Sequence, residues 1–485
     1  MTRVRFAWRA AAVTLVLLIA APRPASAHGS LKSSQPAADA RLKAAPLELR
    51  LNFTEAPELA FTRVTLVGPD GEAVAIAPLQ FALDSHRSVI AAVRGALVAG
   101  TYTVVWQMAG EDGHVMRGRY SFTIVPGAAG VGVSRGTSAG VGEPGAEVTA
   151  PGESAPPAAH HAAATLEGDG FGAGSPPYVV IRWLQFVGLL VLIGAVAFRV
   201  FVLGFLRREQ GAAAPIMGAA SQRAARAALF ATAALGVATL LRLVAQSYAM
   251  HGAADALNIG LIATMLGHTV WGWGWITQVV GVAVAASGFV LARRGGAGGW
   301  GIAALGALIL AVTPALSGHA VAAPRLRALA ILADGAHIIG ASGWLGSLLF
   351  VVVVGIPAAL ALAESERGRA VADLVNAFSP TALVFAGLTA ATGVFAAWLH
   401  LGTVPALWQT QYGRLLLLKL AILSVVAGTG AYNWLRVKPA LGDIEGAGRV
   451  RRSASVELAV GVLVLVVTAI LVATPTAMDI AAMRP

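Results

Sequence analysis

In the stretch PASAHGSL (residues 24–31), a histidine follows Ala25-Ser26-Ala27, the small-x-small pattern at which a signal peptidase cuts. Cleavage there leaves His28 first in the chain, its free α-amino group (pKa about 8) beside its own imidazole. Amine and ring nitrogen can chelate one metal ion in a tight planar arrangement, which Cu(II) favours over Zn(II). A second candidate cluster lies in MAGEDGHVMRG, where Asp112 and His114 are two residues apart. If this segment continues a strand from near Met108, that spacing turns both side chains to one face. One amine, two imidazoles and one carboxylate complete a tetragonal site. The other reading of Asp112-Gly113 is a plain hairpin turn.

Asp334 and His337 are three apart in an apolar run, hence on one face of a helix. A carboxylate that accepts one ring N–H leaves the other nitrogen free for metal. His319 ends the preceding apolar segment, His400 ends the following one, and His251 and His268 lie between two earlier ones. With no cysteine in the chain, a soft metal has histidine, methionine and carboxylate to bind it, and imidazole with thioether is a copper set. Histidine by itself suits zinc equally, or a polar role at a membrane interface. For Asp334 the alternative is a salt bridge to Arg325 or Arg327, and for His319 a helix-end cap. Arg182, Arg242, Lys419 and Glu457 read as snorkelling or paired charges near segment ends. His160 and His161 fall in a solvated, Gly/Ala/Pro-rich tract.

Two kinds of element must position these groups. Residues 28–125 alternate as strands: Leu47, Leu49, Leu51 and Phe53 share one face, as do Tyr102, Val104, Trp106 and Met108, and Tyr120, Phe122 and Ile124. About seven short strands in roughly 100 residues predict a small all-β domain, an immunoglobulin-like or cupredoxin-like antiparallel sandwich. Residues 1–27, with Arg3, Arg5 and Arg9 before a short apolar run and no twin-arginine pair, predict a secretory signal peptide. Residues 126–177 form a linker spanning roughly 40 Å as a flexible coil.

From 178 to 475 the pattern predicts an all-α polytopic membrane domain of about eight transmembrane helices, near 178–204, 227–248, 273–292, 300–318, 329–357, 381–400, 414–436 and 455–474. Overall, 57% of residues are hydrophobic and 12% charged, which excludes an ordinary soluble protein. The net charge of +11 is spread among apolar segments, so it reads as topology signal rather than a nucleic-acid stripe. An exported head sets the first span running inward. Arg207, Arg208, Arg223, Arg226, Arg293 and Arg294 then fall in cytoplasmic loops, with more basic residues in the third and fourth. This positive-inside pattern leaves both ends periplasmic in a multi-pass inner-membrane protein. No histidine falls in a cytoplasmic loop, and of the mature methionines Met217 alone lies inside.

The head resembles the CopC family of periplasmic copper-binding proteins, on the segments HGSLKSSQPA, LRLNFTEAPELAFTRVTLVGPDG and GTYTVVWQMAGEDGHVMRGRYSFTI. That resemblance implies Cu(II) ligation by His28, Asp112 and His114. Glu55 also matches the family pattern without a metal role, and Met108 and Met116 are too few to carry over a Met-rich Cu(I) site. The membrane half resembles the CopD family of inner-membrane proteins through SGHA (317–320), DGAHIIGASGWLG (334–346), YGRLLLLK (412–419) and NWLR (433–436). Together they imply a fusion that captures periplasmic Cu(II) and mediates copper uptake. The membrane path runs over His319, His337, Asp334, His400, His251 and His268.

Three readings stay open at this point: uptake, copper sequestration or delivery to a cuproenzyme without transport, and a copper monooxygenase. The short head, carboxylate ligand and membrane tether argue against the last, so the chain reads as non-enzymatic. No phosphate-cradling Gly-x4-Gly-Lys-Ser/Thr loop is present, and the cysteine pairs of a copper-pumping ATPase cannot exist. The partners expected are copper, the lipid bilayer and a periplasmic copper chaperone or cuproenzyme, with no nucleic acid.

Overall fold

The computed structural model describes residues 31–54, 56–110, 115–129, 174–209, 214–318, 320, 326–433, 435, 444–474 and 476. These fall into a strand-built unit and a helical unit.

The first unit contains β1 (Leu31–Gln35), β2 (Arg41–Ala44), β3 (Glu48–Phe53), β4 (Arg63–Val67), β5 (Ala73–Val74), β6 (Gln80–Ala82), β7 (Ser85–Ala92), β8 (Gly100–Ala109) and β9 (Val115–Ala129). They form two sheets, ordered β1-β3-β7-β6 and β2-β9-β8-β4-β5. Alternation in the sequence becomes the core between them. Leu49, Leu51 and Phe53 of β3 meet Tyr102, Val104, Trp106 and Met108 of β8 and Phe122 and Ile124 of β9, all buried. Each large apolar side chain so buried contributes about 1.5–3 kcal/mol. Tyr102 stacks on Phe122 at 5.5 Å and Phe53 meets the Trp106 ring edge-on at 5.4 Å. Leu47, grouped with β3's inner face by its sequence parity, precedes the strand and is exposed.

One pairing departs from a purely antiparallel sandwich: β2 runs parallel to β9, Leu42 opposite Ile124. A parallel pair cannot be closed by a hairpin. Here nearly the whole unit intervenes between the two strands.

The second unit contains α1 (Pro176–Glu209), α2 (Met217–His251), α3 (Ile259–His268), α4 (Val270–Arg293), α5 (Gly299–Ser317), α6 (Arg327–Ala359), α7 (Glu364–Leu401), α8 (Gln411–Tyr432) and α9 (Ile444–Leu471). Among the described residues, eight of these are long and apolar enough to cross a bilayer. The ten-residue α3 is not, and it was not foreseen. It is set by Asn258, whose side chain caps Gly260 and Leu261, and by Thr269, which caps α4 immediately after it. α7 begins 17 residues before the expected 381, because Val371 and Leu374 continue an apolar face through a charged segment.

α6 is the bundle's axis, and glycines let its neighbours approach it. A Cβ on Gly346 would lie 2.3 Å from the Leu190 carbonyl oxygen and 2.7 Å from Gly194 Cα, both on α1. On another face, Gly340 and Gly343 lie against Thr389 and Phe385 of α7. Close backbone approach of this kind is how membrane helices associate without a hydrophobic driving force. Two π-helical turns interrupt α6, at Ser342–Gly346 and Val351–Gly355. The second lies just before Pro357, which has no N–H to offer the ladder.

Gly346→Val is expected to separate α1 from α6, since the obstruction is backbone and cannot rotate away. Thermal unfolding of the detergent-purified chain should show a clear loss of stability; an unchanged transition would mean that this crossing is not where the bundle is held.

Candidate functional site

α6 presents its polar residues about two to three turns from its N-terminal end. Asp334 is 7 residues after Arg327 and His337 is 10 residues after it, about 10 and 15 Å along the axis. Consecutive spans alternate in direction, so α7 returns to the level where α6 starts and α8 leaves from it. Thr392 lies 9 residues before Leu401 at the end of α7, and Lys419 lies 8 residues after Gln411 at the start of α8, about 13 and 12 Å deep. Four polar side chains on three helices thus share one depth in an apolar bundle.

The hydrogen bonds fix the imidazole. His337 Nδ1 lies 3.0 Å from Thr392 Oγ1. That hydroxyl gives its one hydrogen to a backbone carbonyl, Leu388 O at 2.7 Å. With that hydrogen on the carbonyl, the tautomer that fits is the one whose Nδ1–H donates to the hydroxyl oxygen and whose Nε2 keeps a lone pair. Gly393 lies beside the ring, where a Cβ would stand 3.4 Å from His337 Cε1, at ordinary contact distance. The arrangement is that of a metal-binding histidine oriented by its far nitrogen.

Charge at this level comes from Asp334 and Lys419. Sequence reading placed Lys419 among the snorkelling charges and passed over Thr392. The available signal was depth, because Lys419 interrupts LLLLKLAIL as far from its segment's start as Asp334 is from its own.

Of the remaining expected site residues, some lie outside the described residues and the others do not meet His337. His28, Asp112, His114 and His319 lie outside the described residues, as does Glu55; in sequence, His28 precedes β1 by three residues and Asp112 and His114 lie between β8 and β9. His251 ends α2, His268 is exposed at the end of α3, and the His400 ring meets Tyr412 edge-on at 6.2 Å. Among the described residues no three of His, Asp and Glu come together as a metal cluster. The described part of the path is therefore one oriented histidine with a carboxylate, and not a closed cage.

Three further charges named from the sequence have partners. Arg242, 9% exposed, donates to Gln278 at 3.3 Å and lies over the Trp271 ring at 5.2 Å. Arg182 lies over Tyr178 and donates to the Ala469 carbonyl at 3.3 Å, joining α1 to α9. Asn433 donates to the buried Glu457.

Comparison with known proteins divides the chain as its elements do. Residues 31–125 match the CopC domain, 173–326 the N-terminal domain of copper resistance protein D-like proteins, and 372–471 copper resistance protein D. The chain is similar to "Copper transport protein CutJ" of Bacillus subtilis, 24% identical over 471 residues, covering 96% of this chain and 77% of that one. Its first unit is similar to "Copper resistance protein C" of Escherichia coli, 36% identical over 107 residues, 21% of this chain and 83% of that one. Its helical unit is similar to "Copper resistance protein D" of Pseudomonas syringae pv. tomato, 26% identical over 302 residues, 60% of this chain and 94% of that one.

Proposed function

The chain belongs to the CopC–CopD fusion family, a copper-binding domain followed by the copper resistance protein D membrane domains, and from that premise we propose that it captures periplasmic Cu(II) and mediates copper uptake across the inner membrane. The observation that carries the membrane step is His337, whose Nδ1 is 3.0 Å from Thr392 Oγ1 on the neighbouring helix and which shares α6 with Asp334 three residues earlier. The protein is a multi-pass membrane protein with copper at its N-terminal domain.

In this reading residues 1–27 are removed on export and His28 becomes the first residue of the 28–125 head. The amine and imidazole of His28, with Asp112 and His114, hold Cu(II). Residues 126–177 tether the head to the membrane domain, 178–475. The ion then passes to the end of the bundle where α6 and α8 begin, which carries His251, His268 and His400, with His319 two residues after α5 in sequence, and onward to Asp334 and His337. The positive-inside pattern supports a periplasmic position for that end. The relative named as a copper transport protein supports movement of the ion, and names of transport and resistance proteins support a carrier over an enzyme.

Deleting the gene should lower total cellular copper at limiting external copper by at least about twofold, measured by elemental analysis of washed cells. Restoring the full chain should restore it. Unchanged or raised copper on deletion would overturn uptake and would favour periplasmic sequestration or delivery to a cuproenzyme.

A further inference from the structure

We propose that Glu457 is a proton-binding site in the inner half of the membrane domain: its carboxyl carries a proton, closes an acid–amide ring with Asn433, and gives the proton up when an ion passes. The last step rests on the reading of this chain as a copper carrier; the proton site itself does not.

Glu457 is 5% exposed, within the apolar span Gly448–Leu471 of α9. Among the described residues its carboxyl meets one hydrogen-bonding group, the Nδ2 of Asn433, which caps the end of α8. The contact joins two helices that pack along each other. The same amide leaves its oxygen, Oδ1, buried and without a hydrogen-bond partner. An ionised carboxylate cannot supply the missing hydrogen, because it only accepts. A carboxylic acid can: the amide N–H donates to the carboxyl C=O, and the carboxyl O–H donates to the amide C=O. One proton thus satisfies the orphaned oxygen and removes a charge from the apolar span.

The surroundings offer no counter-charge to do this instead. On α9, Ala454 packs with Leu348 and Val352 of α6, and Phe378 of α7 and Leu458 lie against the same cluster. A Cβ on Gly461 would stand 3.1 Å from Leu345 Cδ1 of α6. α1 runs antiparallel to α9 and is tied to it where Arg182 donates to the Ala469 carbonyl. Twelve residues further along each helix, Glu457 stands level with Gly194, and Arg199 lies about 7 Å beyond. On α7 the nearest charge is Asp373, five residues before Phe378; on α8 it is Lys419, about 21 Å along the axis before Asn433. The phenol of Tyr432, next to Asn433, is exposed. On α9 itself Arg449, Arg451 and Arg452 are exposed, five to eight residues before Glu457. They mark the end to which a released proton goes.

Leu345 and Leu348 follow His337 by 8 and 11 residues on α6, so Glu457 stands roughly 15–20 Å further inward than the imidazole. Metal and proton compete for a ligand. An ion arriving at this depth takes the carboxylate only after the O–H bond breaks. The electron pair stays on the carboxylate, and the proton leaves for water at the arginine-bearing end. The ring then opens, and a carboxylate oxygen and Asn433 Oδ1 are available to the cation. Once the ion has left, the carboxyl takes up a proton and the ring recloses.

The first test is infrared spectroscopy of the full chain in lipid nanodiscs at neutral pH, as the difference between wild type and Glu457→Gln. Each form is checked for helical circular dichroism and a single gel-filtration peak. Wild type should show the C=O stretch of a protonated carboxyl, moved by heavy water and missing in Glu457→Gln. Asn433→Leu should keep that band but move it to higher wavenumber, because the carbonyl loses its N–H donor; a merely structural amide would not move it. The second test is copper accumulation in gene-deletion cells carrying each form at equal amounts in the membrane. Glu457→Gln, which has no proton to give up, should accumulate at least about fivefold less than wild type, and Glu457→Asp should recover about half or more.

No acid band in wild type would overturn the proposal, and a band that Asn433→Leu leaves in place would overturn the pairing. Wild-type accumulation by Glu457→Gln, where deletion itself lowers copper, would overturn the ion-linked step and leave uptake standing. Unchanged copper on deletion would end the uptake reading and the ion-linked step together, with the infrared result still deciding the proton site. Should Glu457→Gln not fold, Glu457→Asp replaces it in the difference spectrum, and an acid band at the same position in both would overturn the assignment.

Discussion

A head domain that begins one residue before His28 binds Cu(II) at least about 100-fold more weakly than one that begins at His28, a loss of ~2.7 kcal/mol or more. The extra residue leaves every side chain in place and converts one nitrogen from an amine to an amide. An amine has a lone pair for the metal at neutral pH, whereas an amide does so only after giving up its proton. The chelate of amine and imidazole is then broken, leaving His28, His114 and Asp112 as separate ligands. Acid should reveal the same thing. The amine titrates near 8 in its free form, and metal and proton compete for it. Lowering the pH from about 8 to 6 should therefore weaken copper binding more steeply in the head starting at His28 than in the extended one. The unit has its own two-sheet core, and the part of the chain that matches copper resistance protein C covers 83% of that protein. It is therefore suited to titration by isothermal calorimetry or by the visible Cu(II) spectrum. Equal affinities would make the position of His28 incidental.

The second large effect is expected in the membrane half. His337→Ala should reduce cellular copper accumulation to the level of the gene deletion while the head, titrated alone, keeps its affinity. The imidazole supplies the oriented lone pair, and nothing else described on α6 replaces it. Thr392→Val is the finer probe, because it removes only the oxygen that accepts the Nδ1 proton at 3.0 Å. Loss of an orienting partner of a metal-binding histidine costs about 10–100-fold, so accumulation should drop to an intermediate level. Wild-type accumulation by His337→Ala, with normal amounts of protein in the membrane, would remove α6 from the path.

Parts of this molecule could be read from the chain because they repeat locally. Leu49, Leu51 and Phe53 alternate over one strand, and that period alone puts them inside the sandwich. The eight spans follow from length and apolarity. Asp334 and His337 are three apart, so one helix suffices to pair them. What escaped depends on relations between elements. The parallel pairing of Leu42 with Ile124 joins opposite ends of the unit, and no local pattern encodes it. Thr392 looks like any hydroxyl bonded back to its own helix until α7 lies beside His337. The charged beginning of α7 hid its helix because the polar residues between Glu364 and Asn376 outnumber Val371 and Leu374, which bury it.

The π-helical turn at Ser342–Gly346 has a bearing on how this protein can vary over descent. Such a turn is one residue more than the helix needs, so it behaves as a spare that inheritance can add or drop without breaking the rod. Dropping it would leave α6 continuous but turn everything on its N-terminal side by about 100° relative to the Gly346 crossing. His337 would then point away from Thr392 of α7, with its sequence spacing from Asp334 untouched. A homologue could thus retain every residue of the motif and lose the function through one missing residue downstream of it. The length of the segment between His337 and Gly346 is as much a part of the signature as the letters within it.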